Sequence, residues 1–238
     1  MKIDYLNDGI SGVELVNVTG TELDIVNAAR VSLHKESNWE HSDSSKAGGI
    51  LDDKDKGLIN FLMKNKHGTP FEMGFQATFR LRMPIFVARE HVRHRIGHSI
   101  NEESGRYVEM RPDFYTPETV RTQHGKPGAY TFVDTNDLVL QEEFKAELEY
   151  RSKETYKLYK YFLDAGVAKE QARMFLPLNL YTEMLWTCNA RSLMNYLELR
   201  AHKDAQLEIR YLAETLEAIF SIYMPNTWEA FNKERISP

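Results

Sequence analysis

The stretch Arg93-His94-Arg95-Ile96-Gly97-His98-Ser99-Ile100-Asn101-Glu102-Glu103-Ser104-Gly105-Arg106 holds three arginines, two histidines, two glutamates, two serines and two glycines in fourteen positions. It is too polar for a core and too mixed in charge for a plain solvated basic face. Arginine offers a planar fork that matches phosphate or carboxylate. Serine and glycine supply hydroxyl and bare backbone donors where a chain approaches an anion closely. The stretch therefore reads as an anion-binding, nucleotide-binding site. Upstream, Pro84 suits the first position of a helix with Ile85, Ala88, Val92 and Ile96 as its apolar stripe, closed by Gly97. Arg89/Arg93 and Glu90/His94 are four apart off that stripe. Residues 98–106 then form a loop delivered by a helix end, and Arg95 and Arg106 are placed to converge on one ligand.

Outward from this stretch, Phe75, Ala77, Phe79 and Leu81 alternate with polar residues, which predicts a half-buried strand. Leu180 to Cys188 predicts a second strand, and Gly12 to Val18 a short third one. Thr21 is the N-cap of a helix reaching Val31, with Leu23, Val26 and Ala29 inward. Residues 32–55 read as a loop. A helix over 56–66, with Leu58, Phe61 and Leu62 inward, ends at Gly68; residues 67–72 make a turn around Pro70. Residues 107–133 read as irregular, with a turn at 125–128. A long helix covers 136–164, with Leu140, Phe144, Leu148, Thr155, Leu158 and Phe162 as its stripe. Shorter helical patterns cover 169–176, 190–203 (N-cap Asn189) and 205–224, and one more closes the chain around Trp228 and Phe231. The expected fold is mixed α/β: a small central sheet flanked by long helices, in one domain spanning 1–238.

A net charge of −5 argues against coating a nucleic acid and for a small anionic ligand drawn into a locally basic pocket. Cys188 is the only cysteine, which excludes an intrachain disulfide framework and a cysteine-rich zinc site. The N-terminus lacks a signal-peptide pattern and no apolar run is long enough for a span, so a cytoplasmic location and no membrane partner are expected. The chain has no Walker glycine loop, no dinucleotide fingerprint and no nucleophile elbow. His94 and His98 are four apart, but Gly97 interrupts the helix between them and no carboxylate completes a ligand set, so no metal is expected. Arg200 occupies a stripe position that calls for an apolar residue, so it needs an acceptor partner; Asp204 is a candidate.

Arg93-His94-Arg95 followed by Asn101-Glu102-Glu103-Ser104-Gly105-Arg106 resembles the signature of flavin-dependent thymidylate synthases. His67-Gly68-Thr69-Pro70-Phe71-Glu72, Ala172-Arg173 with Leu176-Pro177, Asn189 to Asn195 and Leu199-Arg200-Ala201 agree in order and approximate spacing. The resemblance runs from about Val13 to Phe231; residues 34–55 and 108–135 carry little of it. It implies a homotetramer with FAD at subunit interfaces, methylating dUMP with carbon from methylenetetrahydrofolate and electrons from NADPH. It implies that Thr69, Arg93, His94, Arg95, Glu102, Asn189, Arg191 and Asn195 contact FAD. Glu90, Arg93, Glu103, Ser104, Gly105, Arg106, Arg173 and Arg200 would contact dUMP, with Arg200 as the catalytic residue that polarises uracil, and His67 would lie toward the folate. Two departures stand out. Eight residues separate Arg95 from Ser104 where the family pattern has seven, the extra one falling within 96–100. Asp204 stands where the family often has histidine, with His202 two positions earlier. The rival readings are a non-catalytic nucleotide or RNA binder and a flavoenzyme acting on uracil in RNA.

Overall fold

The computed structural model describes residues 2–40, 49–127 and 129–235. The chain divides into two compact units: residues 1–83, 87–102 and 183–238 form the first, and residues 84–86 and 103–182 the second. The middle of the expected 32–55 loop, and Gly128 of the expected turn, lie outside the described residues. The class is mixed α/β, as expected.

The sheet has five strands: β1 (Lys2–Ile3), β2 (Gly12–Gly20), β3 (Phe75–Pro84), β4 (His98–Glu102) and β7 (Tyr181–Asn189), in the order β1-β2-β3-β7-β4. The β1–β2, β2–β3 and β4–β7 ladders are antiparallel. Phe75, Ala77, Phe79, Leu81 and Met83 of β3 are buried, the alternation that a strand with one core face requires. In β7, Met184, Trp186 and Cys188 point the same way into the core of the first unit, and the Phe79 and Trp186 rings stack at 5.5 Å. Burial pushes the Cys188 thiol pKa upward, so it is an inert core residue.

Helices α1 (Glu22–Arg30), α2 (Asp53–Lys64), α3 (Thr69–Met73), α7 (Ala190–Arg200), α8 (Leu207–Tyr223) and α9 (Pro225–Glu234) complete this unit. Asp24 accepts from the Thr21 backbone N–H at 2.7 Å and from its hydroxyl at 2.6 Å, fixing the start of α1. The face of α1 differs from expectation: Glu22, Ile25 and Val26 are buried. Glu22 goes inside because its carboxylate takes the Thr227 backbone N–H at 2.7 Å and the Asn226 amide at 2.6 Å, capping α9. In α2 the buried residues are Asp55, Ile59 and Leu62, while Phe61 is exposed. Asp55 is drawn in by an ion pair with Arg30 and a 3.0 Å bond from Ser37, which turns the helix relative to its apolar pattern. Residues 69–73 are a short helix rather than a turn, because Pro70 at its start needs no N–H partner there.

The second unit contains the hairpin β5 (Arg121–Lys126) and β6 (Ala129–Asp134), then α5 (Leu138–Asp164) and α6 (Lys169–Ala172), which continues as a 3-10 turn over Arg173–Phe175. The hairpin was not foreseen in the irregular segment. Its side chains are mostly exposed on both faces, so no inside-outside alternation marks it. Helix α5 ends at Asp164 as expected and starts at Leu138, capped by Asp137, but its stripe does not match the pattern. Leu140, Phe144 and Leu158 are exposed, while Ser152 and Tyr159 are buried. Tyr159 enters a core with Met110, Ala172 and Leu180, and its hydroxyl accepts the Met110 backbone N–H at 3.0 Å. Tyr159→Phe leaves that buried N–H without a partner. It should lower the unfolding free energy by about 1–3 kcal/mol in chemical denaturation, and an unchanged midpoint would show the N–H to be satisfied otherwise. Among the described residues, no helix is long and apolar enough to cross a membrane.

Candidate functional site

The first unit gathers its polar groups where the chain leaves β3. Helix α4 (Ile85–His91) is shorter than the pattern predicted; it stops at His91, and Val92 and Ile96 are exposed. The inward residues are Val87, Ala88 and His91, so a histidine takes the place the stripe assigned to Val92. His91 meets Trp186 edge-on at 4.8 Å and Tyr196 at 5.3 Å, and its Nδ1 lies 3.2 Å from the Tyr196 hydroxyl. Its Nε2 is buried without a hydrogen-bond partner. Burial, reinforced by His94, His98 and Arg200, lowers the His91 pKa to about 3. The folded ring is therefore neutral, while the unfolded ring takes a proton near pH 6.5. A depressed folded pKa gives stability above the unfolded value that is lost as pH falls. Denaturation midpoints should therefore drop progressively from pH 6.5 to pH 4, and His91→Phe should flatten that slope. The same slope in both proteins would place the acid sensitivity elsewhere.

Arg200, at the end of α7, has the acceptor partners that its stripe position demanded. Its Nη1 donates to Glu90 at 2.8 Å, Nη2 to the Glu90 carbonyl at 3.3 Å, and Nε to His94 Nε2 at 3.0 Å. Asp204 is not that partner: it turns to His202, whose Nδ1 accepts its backbone N–H at 3.2 Å. Burial raises the Glu90 pKa, and the Arg200 charge opposes that rise. Burial, then the charges of Arg200 and His98, lower the His94 pKa to about 4. A guanidinium on α7, a carboxylate on α4 and a neutral imidazole on the turn after α4 are thus fastened together.

Arg93 and Arg95 are exposed on the turn after α4. Gly97 ends that turn with φ +70°, and a Cβ there would stand 2.1 Å from Ser192 Oγ. Ser192 donates to the Ile96 carbonyl at 2.9 Å, and its own N–H is capped by Asn189 at 2.8 Å. The turn is therefore seated on the N-terminus of α7, and Asn189 is its N-cap as expected. Residues 98–102, read as loop, are instead the strand β4, with His98 opposite Cys188 and Glu102 opposite Met184. Ile100 is the only apolar side chain among these edge residues, so no alternation could reveal the strand. Thr69 and Asn195 are exposed. Arg191 is ion-paired with Glu72 and lies so close over Gly68 that a Cβ there would be 2.6 Å from its guanidinium.

In the second unit, Ser104 to Arg106 form a tight turn. Ser104 Oγ accepts the Arg106 N–H at 3.3 Å, and the Ser104 carbonyl accepts Tyr107 and Val108 N–H at 2.9 and 3.1 Å. Gly105 is buried, and a Cβ there would meet Met110 Sδ at 3.2 Å and Arg173 Cδ at 3.3 Å. Gly105 and Arg173 are therefore neighbours. Arg106 reaches Glu170 at 3.3 Å, and Glu103 reaches Arg111 at 3.5 Å. Hydroxyl, bare backbone and guanidinium groups on one turn make a cradle suited to a phosphate.

The family described as thymidylate synthase complementing protein matches residues 14–226. A flavin-dependent thymidylate synthase of Streptomyces coelicolor is 42% identical over 236 residues, covering 95% of this chain and 93% of that protein. The chain belongs to the flavin-dependent thymidylate synthase family. Its relative in Tropheryma whipplei (strain TW08/27), also named flavin-dependent thymidylate synthase, is 44% identical over 239 residues, covering 95% of this chain and 94% of that one. Among solved structures, the UMP/dUMP methylase PolB from Streptomyces cacaoi bound with 5-Br UMP superposes with a TM-score of 0.81 at 37% identity, covering 95% and 96% of the two chains.

The first-unit residues fit the flavin that the family name requires. Exposed guanidinium groups of Arg93, Arg95 and Arg191 and the Asn195 amide are donors, and Gly68 gives the close backbone approach that lets Arg191 lie flat. Sequence reasoning did not foresee the ring packing of His91, His98, Tyr196 and Trp186 beside these groups. Their aromatic spacing on α4, β4, β7 and α7 is ordinary core spacing until the strands are paired.

Proposed function

We propose that the protein converts dUMP to dTMP, taking the carbon from methylenetetrahydrofolate and the reducing electrons from NADPH. Bound FAD would supply the redox chemistry. Thr69, Arg93, His94, Arg95, Glu102, Asn189, Arg191 and Asn195 hold the flavin in this reading. Glu90, Arg93, Glu103, Ser104, Gly105, Arg106 and Arg173 hold the nucleotide, with the phosphate on the Ser104–Arg106 turn, and His67 lies toward the folate. We further propose one synthase domain spanning 1–238, assembled as a cytoplasmic homotetramer with its sites at subunit interfaces.

The observation that carries this reading is the guanidinium of Arg200, held half-buried between Glu90 and His94. A fixed cation beside uracil stabilises the anion left when N3 loses its proton. That anion makes C5 electron-rich and ready to accept the one-carbon unit. The chain needs no thiolate adduct for this, which accords with Cys188 being fully buried. The test is to measure flavin absorbance of the purified protein and dTMP formation from dUMP, methylenetetrahydrofolate and NADPH, with UMP in parallel. A colourless protein, or one that makes no dTMP, would refute the reading; preference for UMP would move the substrate to the ribonucleotide.

A further inference from the structure

His98 has no part in the roles above, yet its geometry gives it one. An indole nitrogen is a donor only, so the 2.9 Å bond from Trp186 Nε1 makes His98 Nδ1 an acceptor. Burial lowers the pKa of this imidazole, so the ring is neutral and its single proton sits on Nε2. The two ring planes are parallel to within 10° with centroids 5.4 Å apart, and Trp186 is buried. The two nitrogens of an imidazole point to opposite sides of the ring. The His98 Nε2–H is therefore directed away from the Trp186 core.

The neighbouring His94 is fixed in the opposite sense. A guanidinium also donates only, so the 3.0 Å bond from Arg200 Nε leaves His94 Nε2 bare and puts its proton on Nδ1. The His94 and His98 rings are 6.1 Å apart. Two adjacent neutral imidazoles thus each offer one N–H, and in each the other nitrogen is anchored by a donor from the protein. Paired uncharged donors of fixed direction suit the carbonyl oxygens of a flat heterocycle. The pair adjoins the groups assigned above to flavin: His98 directly follows Gly97, whose backbone rests against Asn189 and Ser192.

We propose that His98 is a further flavin-binding residue, its Nε2–H acting with the His94 Nδ1–H as donors to the carbonyl-bearing edge of the isoalloxazine ring. This rests on the flavin reading of the site above.

Two measurements test it. Nitrogen-15 spectra of histidine-labelled protein without flavin should show His94 protonated at Nδ1 and His98 at Nε2; a His98 proton on Nδ1 overturns the proposal. FAD titration, followed by quenching of flavin fluorescence, should show about tenfold weaker binding for His98→Asn with an unchanged melting temperature. Asparagine keeps an acceptor toward Trp186 and lacks the outer donor. His98→Gln, whose amide nitrogen falls near the outer ring nitrogen, should recover most of the affinity. Equal affinity in His98→Asn and the unsubstituted protein overturns the role of His98 alone, whereas an unsubstituted protein that binds no FAD removes the flavin reading itself.

Discussion

Arg200→Ala is expected to lower the rate of dTMP formation about a thousandfold while the purified protein keeps its flavin absorbance. The proposed role of this guanidinium is to stabilise charge that develops on the uracil, so its loss acts on the transition state. The structure adds a second consequence. Without Arg200, nothing opposes the burial that raises the Glu90 pKa, so Glu90 takes up a proton more readily. His94 loses its 3.0 Å donor as well and is free to change tautomer. Arg200→Lys should restore little, because a single ammonium cannot reproduce a fork shared between a carboxylate, a carbonyl and an imidazole. Product formation under saturating substrates and the absorbance spectrum of each variant decide the matter. Turnover retained in Arg200→Ala would remove the residue from the chemistry.

Arg106→Ala is expected to weaken dUMP binding about a hundredfold and FAD binding scarcely at all. In the structure Arg106 leans on Glu170, with both side chains more than half exposed. Such a surface pair is weak and readily exchanged for a phosphate dianion. Deoxyuridine supplies the control. It lacks the phosphate, so Arg106→Ala should leave its binding unchanged. An equal loss for nucleotide and nucleoside, or for dUMP and FAD, would place Arg106 away from the phosphate.

The parts of the fold that were legible in the sequence are those with one wet and one dry face. Phe75 to Leu81 declared β3, and Met184, Trp186 and Cys188 declared β7, because alternate side chains had to be apolar. Asn189 declared the start of α7 through its side-chain oxygen. What stayed hidden had no such contrast. β4 is an edge strand whose one apolar residue is Ile100, and β5 and β6 are exposed on both sides. The faces of α1 and α2 were misjudged because Glu22 and Asp55 are buried carboxylates, admitted only by partners distant in sequence. The site divides in the same way. The demand of Arg200 for an acceptor was readable from helical spacing, but the identity of that acceptor required α4 and α7 to be placed together. Asp204, nearer in sequence, was the wrong choice. Nothing in the spacing distinguished His91 and His98 from ordinary surface or core histidines, because their partners Tyr196 and Trp186 come from other elements.

The cap that Glu22 places on α9 links residues 204 and 205 positions apart. A ribosome releases Glu22 long before Asn226 and Thr227 emerge. Until then the Glu22 carboxylate has neither of these donors and cannot enter the interior without leaving a desolvated charge. The first helix therefore locks into place only after Asn226 and Thr227 have been made. A product truncated before Asn226 would be left with an acidic group facing an unfinished core, a state that cellular quality control is suited to recognise.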